Sequence, residues 1–161
     1  MNDTYQKPDM SSWTGRIDSR DNYDAFRWHQ WVRPLDLTVA INEMPPFKVG
    51  IAILGFCSDE GVRRNLGRTG AAKGPHSIRK ELCNLPCSFT QELRLFDAGN
   101  ILCDDGNLER SQRSLAEAVD KLLNLGLFPI VLGGGHEVAY GDYLGLLKRG
   151  LSPRSEEHTS E

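Results

Sequence analysis

Nowhere in the 161 residues does an apolar run approach the roughly 20 residues that a membrane-spanning helix needs. The opening MNDTYQKPDM has no basic stretch followed by an apolar one, so it does not read as a signal peptide. Nor is there an excess of charge of either sign. Against 19 Lys and Arg stand 22 Asp and Glu, a formal net charge of -3, which offers no electrostatic reason to expect nucleic acid or an anionic membrane as partner. Cysteine is scarce and unpatterned. Cys57, Cys83, Cys87 and Cys103 form no C-x-x-C pair and have no histidine at zinc-finger spacing. They read as reduced thiols of a cytoplasmic protein.

What is present is ordinary in bulk: 39% hydrophobic and 25% charged residues, in a chain long enough for one domain with its own core. The informative stretch is local. Phe128 to Glu137 reads FPIVLGGGHE, an apolar run with a β-branched pair followed by three glycines and a histidine. Such a run suits a central parallel strand covered on both faces. Glycines without Cβ atoms permit a close approach, so the turn can carry His136 to the carboxyl edge of the sheet, where open α/β sheets bind ligands. A neutral imidazole there is a natural metal ligand, and Glu137 beside it is placed to orient the site. One histidine alone does not hold a metal.

Around this stretch the chain alternates. Residues 1–47 are polar and turn-rich, contain Trp13, Trp28 and Trp31, and read as an arm packing on a domain. KVGIAILGF, residues 48–56, is the first buried strand, followed by a glycine-punctuated loop. Pro75 opens a helix with Ile78 and Leu82 four apart on one face. Leu93 to Phe96 is a second short strand, stopped by Asp97-Ala98-Gly99-Asn100. Asn107 caps a helix with an apolar stripe of Leu108, Leu115, Ala118, Val119 and Leu122, which Gly126 ends. After the FPIVL strand, residues 138–148 continue as a helix. This is α/β with a parallel sheet of three strands, which is narrow for the class. It implies that the chain stops early and leaves an exposed, aggregation-prone edge.

The last eight residues, RSEEHTSE, contain no hydrophobic residue and are similar to the translation of a widely used DNA sequencing adaptor. Read as extraneous, residues 154–161 take His158 out of consideration as a ligand. The 18 basic and 19 acidic residues that remain bring the net charge to about -1.

Four segments together resemble the ureohydrolases, the arginase and agmatinase superfamily, and most closely their formimidoylglutamase branch. They are WTGRID at residues 13–18 with RWHQ at 27–30; GFCSDEGVRRNLGR at 55–68 leading into GAAKGPHSIR at 70–79; DAGNI at 97–101; and GGGHE at 133–137. The resemblance covers residues 13 to about 150. It implies a three-layer α/β/α arginase-like fold, here its N-terminal half over residues 48–153. It further implies a binuclear manganese centre and hydrolysis of N-formimidoyl-L-glutamate to L-glutamate and formamide in histidine degradation, by a cytoplasmic enzyme that forms homo-oligomers when intact. The two metals would lower the pKa of a bridging water, and carboxylates would stabilise the amidine adduct and move protons. Of the ligand motifs, only His136 is present. No D-x-H-x-D or D-x-D occurs, and Asp104-Asp105 has the wrong spacing. This chain is accordingly expected to be inactive by itself.

The substrate implied carries two carboxylates, which guanidinium groups bind bidentately. Arg63, Arg64, Asn65 and Arg68, in a loop after a strand, are the candidates for contacting it. The bland reading of the arginines is pairing with Asp59 and Glu60. Arg79 reads as one half of a structural ion pair, Asp97 as the brace of a turn, His29 and His76 as non-ligands, and the tryptophans as anchors of the arm. Two readings stay open beside the main one. The first is another ureohydrolase, such as an agmatinase or guanidinobutyrase. The second is a non-catalytic nucleotide-binding or interaction module, against which GGGHE lacks G-x-G-x-x-G spacing and a P-loop lysine.

Overall fold

The computed structural model describes residues 3–41, 44 and 46–151; the adaptor-like residues 154–161 lie outside them. Within this range the elements are β1 (Tyr5–Gln6), α1 (Trp28–Trp31), β2 (Arg33–Pro34), β3 (Val49–Cys57), α2 (Glu60–Arg64), α3 (Gly74–Leu82), β4 (Leu93–Leu102), α4 (Leu108–Asn124), β5 (Phe128–Leu132) and α5 (Val138–Leu147). None of the described helices is long and apolar enough to cross a membrane.

Side-chain alternation along β3 divides the core in two. Ala52, Leu54 and Phe56 point to one face and join Phe96, Ala98, Ile101 and the buried stripe of α4, Leu108, Leu115, Ala118, Val119 and Leu122. Ile53 points to the other face and joins Trp13, Val32, Cys83 and Leu95. Helix α4, with α5 packed along it and Leu35 and Leu37 of the arm, covers the first face, while α3 and the Trp13 and Val32 part of the arm cover the second. The result is the expected three-layer arrangement. Fully burying each large aliphatic side chain of the α4 stripe contributes about 1.5–3 kcal/mol, which makes this helix the main apolar clamp on the sheet.

Among the described residues the sheet has five strands rather than three. β3 lies between β4 and β5, parallel to both, and β2 also pairs parallel to β4. β1 pairs antiparallel with β4, Tyr5 opposite Ile101, so two short pieces of the arm line the outer side of β4. Propensity offers little warning of two-residue strands such as RP. β4 also runs through Asp97-Ala98-Gly99-Asn100 instead of stopping there. The register shifts from Ile53 opposite Asp97 to Gly55 opposite Asn100, a bulge in which Gly99 takes φ +78°. β5 was expected to be central. It pairs only with β3 among the described residues, and Phe128 and Ile130 are exposed.

The expected face of α3 also needs correction. Ile78 is exposed, whereas Pro75 and Arg79 are buried. The reason is a polar network beneath the helix. Arg79, 3% exposed, donates from Nε to Asp97 Oδ2 at 2.8 Å and from Nη2 to Asp97 Oδ1 at 2.9 Å. The same guanidinium reaches the Gly99 carbonyl and Asn100 Oδ1, both at 2.8 Å. Asp97 also accepts from the Gly99 backbone N–H at 2.8 Å and from Trp13 Nε1 at 2.6 Å. Asp97 therefore braces the bulge, as a turn brace should. Trp13 is anchored both by burial and by this bond. Around it the arm motif docks on the end of α3: Arg16 N donates to Asn84 Oδ1, and Arg27 pairs with Asp18.

Asp97→Ala strands a buried guanidinium and is expected to cost about 3–5 kcal/mol, read as a lower urea midpoint. Trp13→Phe loses the bond to a charged acceptor, at about 1.5–3 kcal/mol, and the void left by the smaller ring adds to that loss. At the other end of the arm, Tyr5 OH accepts from Leu37 N at 3.0 Å, and burial pushes its phenol up to about 12. A raised pKa favours the neutral folded form. Its contribution to stability is thus complete below the unfolded value of 10.0 and is lost as pH rises toward about 12. Melting temperatures across that range should fall for the wild type more steeply than for Tyr5→Phe.

Candidate metal and substrate site

The candidate residues come from two loops at the carboxyl ends of neighbouring parallel strands, the edge where such sheets bind ligands. β3 delivers Ser58, Asp59 and the short helix α2. β5 delivers the turn Gly133–Glu137, which runs directly into α5. The two loops touch through backbone: Gly135 N donates to Ser58 O at 3.3 Å. A Cβ on Gly134 would run into the Ser58 backbone, so the glycine there is required by the approach of the neighbouring strand end. Of the three glycines, this is the one a larger residue tolerates least.

His136 sits at the tip of this turn, exposed, and its ring has no hydrogen-bond partner among the described residues. Among the described residues Glu137 makes no hydrogen bond to the imidazole. Its Oε1 accepts from Ser58 Oγ at 3.0 Å and from Gly61 N at 3.1 Å. Ser58 Oγ accepts in turn from Glu60 N at 3.2 Å. Behind the turn, Gln112 of α4 donates to the Glu137 carbonyl at 2.9 Å.

Helix α2 carries the arginines. Glu60, 7% exposed, accepts from Arg63 Nε at 3.0 Å and from Arg64 Nε at 2.8 Å. Arg63 first, and Arg64 with it, holds the Glu60 carboxyl below its usual range. Arg64 reaches on to Glu109 of α4 at 2.6 Å, and Glu109 and then Glu60 push its guanidinium still further up. Asp59 pairs with neither arginine. Its two oxygens accept from Gly70 N at 3.0 Å and Ala72 N at 2.9 Å, which closes the loop before α3. Asn65 ends α2, and Leu66 beyond it holds φ +55° at 96% exposure, a left-handed leucine in open water. In the sequence the sole signal of this strained residue is its place between Asn65 and Gly67.

The loop divides two clefts. One, of about 280 Å³, is lined by Gly61, Val62, Asn65, Gly67, His136 and Glu137. The other, of about 440 Å³, includes Cys57, Asp59, Glu60, Arg63, Cys103 and Asp104. Asn65 and His136 are thus brought together and Arg63 faces the second cleft, while Arg68 is exposed further along the loop. His29 and His76 are engaged elsewhere, at 3.0 Å from Arg16 O and 3.1 Å from Ser12 Oγ. Among the described residues no three His, Cys, Asp or Glu side chains come together in a way that could hold a metal ion. A lone exposed imidazole is one donor, not a manganese site.

Comparison with known proteins gives a consistent answer. The model of the Arginase family matches residues 49–153. The formimidoylglutamase of Clostridium tetani is 57% identical over 145 residues, 89% of this chain and 42% of that protein. That of Geobacillus thermodenitrificans is 46% identical over 151 residues, 94% and 46% of the two. Among solved structures, a Trypanosoma cruzi formiminoglutamase with Mn2+ aligns with TM-score 0.53 and 36% identity, over 63% of this chain and 37% of that one. An arginase from Bacillus subtilis aligns with TM-score 0.50 and 26% identity, over 62% and 34%. The fold is therefore arginase-like α/β, and the chain spans somewhat under half the length of the curated relatives it matches.

Because the Gly134 contact is with backbone, Gly134→Ala is expected to destabilise by about 1–3 kcal/mol, as overpacking does. A Cβ on Gly133 meets the movable side chain of Val138 at 2.9 Å, so Gly133→Ala should cost less. Urea unfolding of the two variants side by side checks the order.

Proposed function

Since the chain belongs to the arginase family, we propose that its activity, in a protein of the relatives' full length, is manganese-dependent hydrolysis of N-formimidoyl-L-glutamate to L-glutamate and formamide. The observation that carries this reading is the pairing of His136 and Asn65 in one cleft, on two loops that also hold Arg63, Arg64 and Arg68. The identity of up to 57% is with relatives named formimidoylglutamase. Among the structures, identity is 36% to the formiminoglutamase and 26% to the arginase.

His136 is the manganese donor this chain offers, at the carboxyl end of β5. Bound manganese would supply an activated water at neutral pH. The other donors are not among the described residues. What the chain's own loop does is recognise carboxylate. Asn65 offers an amide beside the histidine, and the guanidinium of Arg68 stands in solvent. Arg63 and Arg64 already share Glu60, so a substrate carboxylate would compete with that residue for their nitrogens. A cytoplasmic setting agrees with the four free thiols, and we propose a homo-oligomer for the complete enzyme.

Formamide release from N-formimidoyl-L-glutamate, measured on a full-length chain with manganese, tests the reading. His136→Ala should lower activity by more than about a hundredfold, since removing even a partner of a metal ligand costs up to that much. Asn65→Ala and Arg68→Ala should raise KM with less effect on kcat. Preferential hydrolysis of agmatine or a guanidino acid would transfer the chain to another branch of the family. A nucleotide that copurifies stoichiometrically would overturn the enzymatic reading.

A further inference from the structure

We propose that Glu137 is a positioning residue that clamps the loop after β3, with its arginines and Asn65, against the turn bearing His136. Several independent contacts converge on it. One carboxylate oxygen takes both the Ser58 hydroxyl at 3.0 Å and the Gly61 backbone N–H at 3.1 Å. The second donor lies in the first turn of α2, a backbone N–H with no partner within the helix. Two glycines make room for this carboxylate: a Cβ on Gly61 would lie 2.7 Å from Glu137 Cδ, and one on Gly135 would run into Oε2. The turn is also held from behind, where Gln112 binds the Glu137 carbonyl. The clamp thus closes a bridge from α4 through the β5 turn to the start of α2.

Its consequence is geometric. His136 and Asn65 line the same cleft because the two loops keep a fixed relation, and among the described residues their direct backbone link is one long bond from Gly135 N to Ser58 O, 3.3 Å. Glu137 supplies the remaining restraint, through side-chain bonds to a charged acceptor, which are the stronger kind. What the loop then recognises rests on the formimidoylglutamate reading; the clamp itself does not.

The experiment separates these two. Amide hydrogen exchange at Gly61 and through residues 58–66, followed by NMR on the whole chain, reads the clamp. Glu137→Ala is expected to speed exchange at Gly61 by about tenfold or more, the fold-change expected from losing a hydrogen bond to a charged acceptor. Glu137→Gln keeps an accepting oxygen and should restore most of the protection. Should Glu137→Ala not fold, Ser58→Ala, which removes one of the two donors, should show the same response to a smaller degree. Unchanged exchange in Glu137→Ala, or in Ser58→Ala where the former does not fold, would overturn the proposal. So would a Glu137→Gln variant as unprotected as the alanine one. A parallel titration with L-glutamate, followed at the Asn65 and Gly67 amides, reads the loop's task. Weaker binding in Glu137→Ala with recovery in Glu137→Gln supports both readings. An exchange response with no glutamate response in any variant upholds the clamp and counts against the formimidoylglutamate reading.

Discussion

Arg79 and Asp97 meet where the three layers meet, and the rest of the architecture is arranged to keep that buried pair satisfied. An uncompensated charge at 1–3% exposure would cost several kcal/mol. The pair, which joins α3 to β4, is therefore surrounded by partners from the bulge at Gly99–Asn100 and from Trp13 of the arm. Each of these segments has its orientation set by a hydrogen bond to the same two side chains. The arm is held to the domain by the same physics that shapes the bulge.

The bulge in turn affects the functional edge. By adding a residue to β4 opposite Ile53–Gly55, it moves the later part of β4 relative to β3. That sets how the end of β4, with Cys103 and Asp104, faces the loop after β3 across the larger cleft. On the other side of β3, glycines let the β5 turn approach Ser58, and Glu137 spans the gap. Helix α2 stands between the two clefts, and the Glu60 carboxylate bonded to Arg63 and Arg64 keeps both guanidinium groups on this small helix. Isolated and exposed, such pairs contribute little to stability. Their effect here is to fix where the positive charge sits.

Much of this was legible in order but not in direction. The α4 stripe, its Asn107 cap and its Gly126 ending were all readable, because helix periodicity and capping are local properties. The histidine turn was readable because three consecutive glycines have few other uses. Arg79 was recognised as an ion-pair residue, yet the same helix was oriented by Ile78, which proves exposed. Hydrophobic patterning assigns apolar residues to the core by default and has no means of seeing that a satisfied guanidinium outranks an isoleucine for the buried position. For the same reason the sequence places Glu137 beside His136 as a group that orients the site, but does not show through which partners. Adjacency in sequence gives the place of this carboxylate, while the donors it accepts from lie 76 and 79 residues away.

The sequence by itself determined the α/β class, the strand–turn–helix unit that presents His136, and the carboxyl edge on which the loops gather. Those depend on side-chain periodicity and on backbone permissiveness, which act within a few residues. Only the tertiary structure decided that the arm adds two strands to the sheet, that β4 passes through its bulge, and that Asn65 rather than Arg63 shares the histidine's cleft. Those outcomes depend on which distant donor reaches which acceptor once the layers close, a competition in which buried polar groups must be paired whatever the local pattern prefers.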